Sequence, residues 1–99
     1  MQEKLLKIIN NYGLLEQLKY IHSEYFELDE AIINYCDEED IYIPEIEKHY
    51  KDHITEEIAD VMVMLKQFQV YFRINDKEIN KIMEYKINRQ IDRINHLPK

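Results

Sequence analysis

One glycine and two prolines in 99 residues are too few breakers for a fold of strands and tight turns. The chain has to run in long helices. Its cheap interruptions are Gly13, Pro44 and the polar stretches between apolar runs. Residues 2–11 read as a short helix with Leu5, Leu6, Ile8 and Ile9 as its apolar content. Tyr12-Gly13 ends it, with Gly13 suited to a left-handed C′ position. A second helix runs from about 14 to 35, with Leu14, Leu18, Ile21, Tyr25, Leu28 and Ile32 three and four apart. Residues 37–51 lose that period. Asp37 to Asp40 is a charge run and Pro44 breaks continuation, so the stretch reads as a loop with a short turn of helix near 45–50. Asp52 is placed to cap a third helix, about 53–73. Asn75 with Glu78 forms a capping box for a fourth, about 76–95. The fold expected is all-α, a single domain over 1–99 built as a bundle of about four helices.

Charge narrows the function. Thirteen basic against twenty acidic residues give a net charge of −7. That argues against a broad nucleic-acid-binding face, and an anionic small substrate would need a metal to bridge it. The single cysteine, Cys36, has no internal partner for a disulfide, and the start of the chain lacks the pattern of a secretory signal. A cytoplasmic location is expected. The longest apolar run, Val61 to Leu65, is far too short to span a membrane.

Two carboxylate pairs stand out against this background. Glu24 and Glu27 are spaced i, i+3 in the second helix, and Glu57 and Asp60 repeat the spacing in the third. On the second helix Glu24 lies on a shoulder of the apolar stripe and Glu27 further round, with the small Ala31 between them in angle. Taken alone, that helix reads as a solvated acidic face. The third is more constraining. Ile54, Val61, Met64, Leu65, Phe68, Tyr71 and Phe72 make a broad apolar arc, with Glu57 inside it and Asp60 at its edge. Ala59, Val63 and Val70 extend apolar surface to the far side, as in a helix buried nearly all round. An ionised glutamate in such a place is costly without a partner. No Lys, Arg or His is read one turn away on that face, so the partner has to be a basic residue of the fourth helix or a metal ion.

The fourth helix offers cations. Ile79, Ile82 and Met83 define its apolar face, Lys86 lies in the middle of it, and Arg89 and Arg93 lie along one side. One reading is a Lys86 salt bridge to a core carboxylate such as Glu57. The other has Lys86, Arg89 and Arg93 contacting phosphate oxygens at the rim of a metal site. For the two arginines a surface ion pair is the plainer reading. Four carboxylates with no His or Cys among them form a hard-oxygen site, suited to Mg²⁺ or Mn²⁺ rather than zinc. Such a site supports hydrolysis of a phosphoanhydride, with one acid orienting or deprotonating the attacking water. A ferritin-like di-iron bundle needs Glu-x-x-His motifs, and none occurs; His22, His49, His53 and His96 read as surface or loop residues.

The pattern E-x-x-E, a spacer, then E-x-x-D resembles the MazG-like family of all-α nucleoside triphosphate pyrophosphohydrolases. Its flanks FELDEAI and EEIADVMVML resemble that family's G-E-L-x-x-A-I and E-E-L-A-D-V-L, and EYKINRQIDRI, with Lys86 and Arg89, resembles its basic tail. The resemblance covers roughly residues 14–95. It implies Mg²⁺-dependent cleavage between the α and β phosphates of a (d)NTP, giving a monophosphate and pyrophosphate. It also implies a homodimer or homotetramer, often with the active site near the subunit interface. One departure is Ser23, where many members carry a second acid; the adjacent pair is intact in the second motif as Glu56-Glu57.

Dimerisation also follows from size, because a chain this short cannot easily cover a third helix that is apolar on every side. The eight tyrosines offer aromatic surface for a base, with Tyr25, Tyr71 and Phe26 near the carboxylates in angle or sequence, although aromatics at helical spacing are more often core. The reading from a different class is a non-catalytic helical adaptor or regulatory protein that keeps the fold, and Ser23 is the feature that favours it.

Overall fold

The computed structural model describes residues 1–98, all in helices and short connections: α1 (Gln2–Tyr12), α2 (Leu14–Asp37), α3 (Pro44–Tyr71) and α4 (Asp76–Asn95). The all-α expectation of four helices holds. Gly13 stands between the two helices, C-cap of α1 and N-cap of α2. Its φ of 94° and ψ of 149° lie outside the left-handed helical region expected of it, in a zone open to glycine alone. Its amide still donates to the Ile9 carbonyl, closing α1.

The loop expected over 37–51 is much shorter. α3 begins at Pro44, which stands at its first turn, where a missing N–H costs nothing. Glu45 and Glu47 in that turn complement the helix dipole. Asp52 caps nothing. It lies inside α3 and pairs with Lys48 at 2.7 Å, while Lys51 pairs with Glu47. The charged run hides a helix held by such i, i+4 pairs, and so its apolar period is weak. The α4 capping box is present as read: the Asn75 side chain accepts from the Glu78 amide, and the Glu78 carboxylate accepts from the Asn75 amide.

α2 and α3 pack antiparallel, with α1 across both. Their seam differs from the stripe read in the sequence. Gln17, Glu24 and Ala31 are buried at seven-residue spacing, flanked by half-buried Leu14, Ile21, Leu28 and Tyr35. Leu18, Tyr25 and Ile32 lie outside the seam and are exposed. On α3 the inward positions are Tyr50, Ile54, Glu57, Val61, Met64 and Phe68, joined by Gln67. The buried apolar core is small, formed by Ile9, Ala31 and Met64. The outer side of α3, with Ile58, Met62, Val63 and Leu65, stays open to solvent rather than buried all round.

α4 packs against none of the other three helices and projects from the corner after α3, where only its first residue, Asp76, is held by Lys66 and Gln69 of α3. The Cα radius of gyration is 17.4 Å, well above the ~13 Å of a compact chain of about 100 residues. No helix among the described residues is long and apolar enough to cross a membrane.

Candidate metal centre

The antiparallel packing of α2 on α3 sets the two carboxylate pairs face to face. Glu24, Glu27, Glu57 and Asp60 each present an oxygen, and these four oxygens lie within 4.8 Å of one another. Glu24 and Glu57 are buried, at 6% and 8% exposure, while Glu27 and Asp60 open to solvent. The cluster therefore has a closed floor and an open rim. Ala31, one seam step beyond Glu24, is buried and small enough to let the two helices approach.

Two oxygens in this floor have no partner. Glu24 Oε2 and Glu57 Oε2 are buried and make no hydrogen bond. Buried carboxylate oxygens left unpaired are costly, so the arrangement calls for a cation. The donor set is all oxygen, as hard divalent cations require. A spread of 4.8 Å is close to the ~4.2 Å between opposite ligands in an octahedron with ~2.1 Å bonds. The cluster is thus able to coordinate a divalent cation.

Electrostatics agree with the geometry. Burial pushes the Glu57 carboxyl above its ordinary range, and the neighbouring Glu27 and Asp60 carboxylates push it further. His53 pulls the other way. It sits four residues before Glu57 on α3, which corrects the reading that no His lies one turn away. Tyr20, one turn before Glu24, has its hydroxyl pushed up chiefly by hydrogen bonding to Glu24 and then by that carboxylate's charge.

The cation sources read in the sequence are elsewhere. Lys86, Arg89 and Arg93 lie on α4, which packs against nothing in its own chain, so none reaches the four acids within one chain. Arg89 instead lies over the Tyr85 ring at 5.9 Å. Ser23 and Glu56 are exposed.

Beside the acids opens a cavity of about 520 Å³, lined by Glu24 and Asp60 at one end and by Tyr12, Tyr20, Gln17 and Gln67 further along. Tyr25 and Phe26 are exposed and do not line it, and Tyr71 lines a different hollow with α1. In the cavity wall Gln17 Nε2 donates to Gln67 Oε1 at 2.7 Å across the α2–α3 seam, and Gln67 Nε2 reaches Met64 Sδ at 3.7 Å. Tyr20, Gln17 and Gln67 were not among the residues read from the sequence. The signal was there for two of them: Gln17 is seven residues before Glu24 and Tyr20 is four before it, so all three share a face of α2. Comparison with protein-family models, with curated proteins and with solved structures finds no match to this chain.

Proposed function

We propose that this chain is a Mg²⁺-dependent nucleoside triphosphate pyrophosphohydrolase, cleaving a (d)NTP between the α and β phosphates to a monophosphate and pyrophosphate. The observation that carries the reading is the four-carboxylate cluster with two buried, unpartnered oxygens in its floor. Glu24, Glu27, Glu57 and Asp60 would hold the metal, with Mn²⁺ as a substitute. Mg²⁺ bound there would neutralise the charge of the polyphosphate oxygens. Glu27 and Asp60, exposed on the open rim, would be the acids that an incoming water and phosphate chain meet first. One of the four acids would orient the attacking water and accept its proton. The adjoining cavity has the amide and aromatic surface that a nucleoside would meet once its phosphates sit over the acids. The resemblance of both half-motifs to the MazG-like family supports the same reaction.

A pyrophosphate-release screen over ordinary and modified triphosphates with Mg²⁺ tests the reading. Monophosphate and pyrophosphate are the expected products, and orthophosphate release would mean a different reaction. Glu57→Gln should lower kcat/KM by at least ~100-fold, beyond the usual 10–100-fold loss from an outer-shell partner. A protein that neither hydrolyses any triphosphate nor gains thermal stability from Mg²⁺ or Mn²⁺ would be the non-catalytic adaptor.

A further inference from the structure

Gln17 and Gln67 meet in the wall of the cavity beside the acids, at 7% and 2% exposure. Each side-chain amide brings two N–H groups and a carbonyl oxygen, more than one contact satisfies. One N–H of Gln17 goes to Gln67 Oε1 at 2.7 Å, and one N–H of Gln67 reaches Met64 Sδ at 3.7 Å. The thioether can only accept. It therefore holds the Gln67 nitrogen on its own side and the Gln67 oxygen toward Gln17, which settles which way round both amides lie. An N–H on each glutamine and the Gln17 carbonyl remain. Gln17 Oε1 accepts from no group among the described residues. The sealed oxygens without a partner are those of Glu24 and Glu57, so the Gln17 oxygen is open to the cavity that its residue lines. Two amides this buried and only half satisfied call for a ligand that completes them.

The groups left over define that ligand. Two donors and one acceptor are complemented by two acceptors and one donor. Among nucleobases this is the imide edge of uracil and thymine, a single N–H between two carbonyls. Cytosine matches it in acceptors, but its donor is an amino group, and the pair has no further free carbonyl for the second hydrogen. Adenine and guanine carry amino groups too. A polar hydrogen stranded in a closed site costs binding. The position also suits a base. Gln17 stands seven residues before Glu24 on α2 and Gln67 seven after Asp60 on α3, about 10 Å of helix rise in each case. That is close to the reach from an α phosphate across the sugar to the far edge of a base. Ile8, Val63 and Met64 line the same cavity and supply apolar contact for the ring faces.

We infer that Gln17 and Gln67 read the imide edge of a uracil or thymine base, so that the cavity selects uridine and thymidine triphosphates from the (d)NTP pool. That the base arrives on a triphosphate rests on the hydrolase reading above; the match between the two amides and an imide does not.

Wild-type kcat/KM with Mg²⁺ should favour dUTP and dTTP over dCTP, dATP and dGTP by ~100-fold or more, since a site built to hydrogen-bond a substrate N–H strongly rejects a base without the match. Methylating the imide N–H of dUTP should cost a similar factor. Gln17→Met keeps the side-chain length and removes the amide, and in this variant the ratio of dUTP to dCTP should fall to near one. A change in the alignment of the acids would lower both substrates and leave that ratio standing. Calorimetric binding of the α,β-methylene analogues of dUTP and dCTP with Mg²⁺ reads the same preference without turnover. Hydrolysis of all bases at similar kcat/KM, a preference for an amino-bearing base, or full use of the methylated dUTP overturns the inference and leaves the hydrolase reading standing. Tighter binding of the dUTP analogue that is lost in Gln17→Met, with no hydrolysis of any triphosphate, supports the inference and removes the hydrolase reading. Neither binding nor hydrolysis of any triphosphate overturns both.

Discussion

Glu57 is the residue on which the site turns. Its burial and its carboxylate neighbours raise its pKa, so the folded protein binds this proton more tightly than the unfolded chain does. The sign follows. Metal-free stability due to Glu57 is greatest below its unfolded value, near the ordinary glutamate 4.5, and is lost as pH rises through the folded value. Thermal melts of the chelated protein should therefore show a decline with pH across that window, and Glu57→Gln should flatten it and melt higher than wild type at neutral pH. A slope unchanged by Glu57→Gln would mean that neither burial nor the neighbouring acids raise the Glu57 pKa in solution. Glu57 was legible in the sequence because an acid inside an apolar arc is an anomaly at the level of a single helix. His53 was overlooked although it lies one turn from Glu57. Tyr20 and the two glutamines were hidden by a different bias, since hydrophobic periodicity assigns amides and phenols to the surface by default.

At the level of the elements, helix ends were easier to read than helix faces. The Asn75 capping box and the Gly13 break stood in the sequence as local chemistry and fold as such. The start of α3 at Pro44 did not, because its first two turns extend beyond the core. Only Ile46, Glu47 and Tyr50 there turn even partly inward, and the rest is exposed and polar, so there was little apolar period to find. Tyr50 does tie this extension down, its hydroxyl donating to Glu38 at the end of α2 at 2.9 Å. The seam of α2 was displaced from its aliphatic stripe because the positions facing α3 are occupied by Gln17, Glu24 and Ala31. At the α1–α2 break, Gly13→Ala should destabilise by ~1–3 kcal/mol, since φ near 94° with ψ near 149° is closed to side-chain-bearing residues. An added Cβ meets nothing within 4 Å, so the loss would be purely conformational. A denaturant midpoint equal to wild type would show that the break relaxes freely.

For the whole molecule, the governing fact is that a net charge of −7 includes four carboxylates packed at one seam. A divalent cation that binds the folded form alone should raise stability by about 2.7 kcal/mol at a hundred times its dissociation constant. Melting temperature should rise with Mg²⁺ or Mn²⁺, fall back with a chelator, and respond to neither in Glu24→Gln with Glu57→Gln. Monovalent salt at matched ionic strength separates this from general screening. The number of helices could be read from the sequence, and the extent of all but α3. The position of α4 could not, because periodicity shows that a helix has an apolar face without showing which surface covers it.

The buried amide pair has a consequence for the acids two turns away. Gln17 meets Gln67 across antiparallel helices, so each step forward on α2 is matched by a step backward on α3. Seven residues on from Gln17 is Glu24, and seven back from Gln67 is Asp60; ten residues give Glu27 and Glu57. The glutamines thus act as a register key, as single polar residues do in helical seams, because sliding by one turn would leave both amides unpaired and part the four acids. Replacing both by leucine removes donor and acceptor together and should leave the melting temperature close to wild type or above it. Mn²⁺ affinity should nonetheless fall, as α2 becomes free to settle in more than one alignment. Affinity that stays at the wild-type level in the double variant would show that the acids keep their alignment without the key.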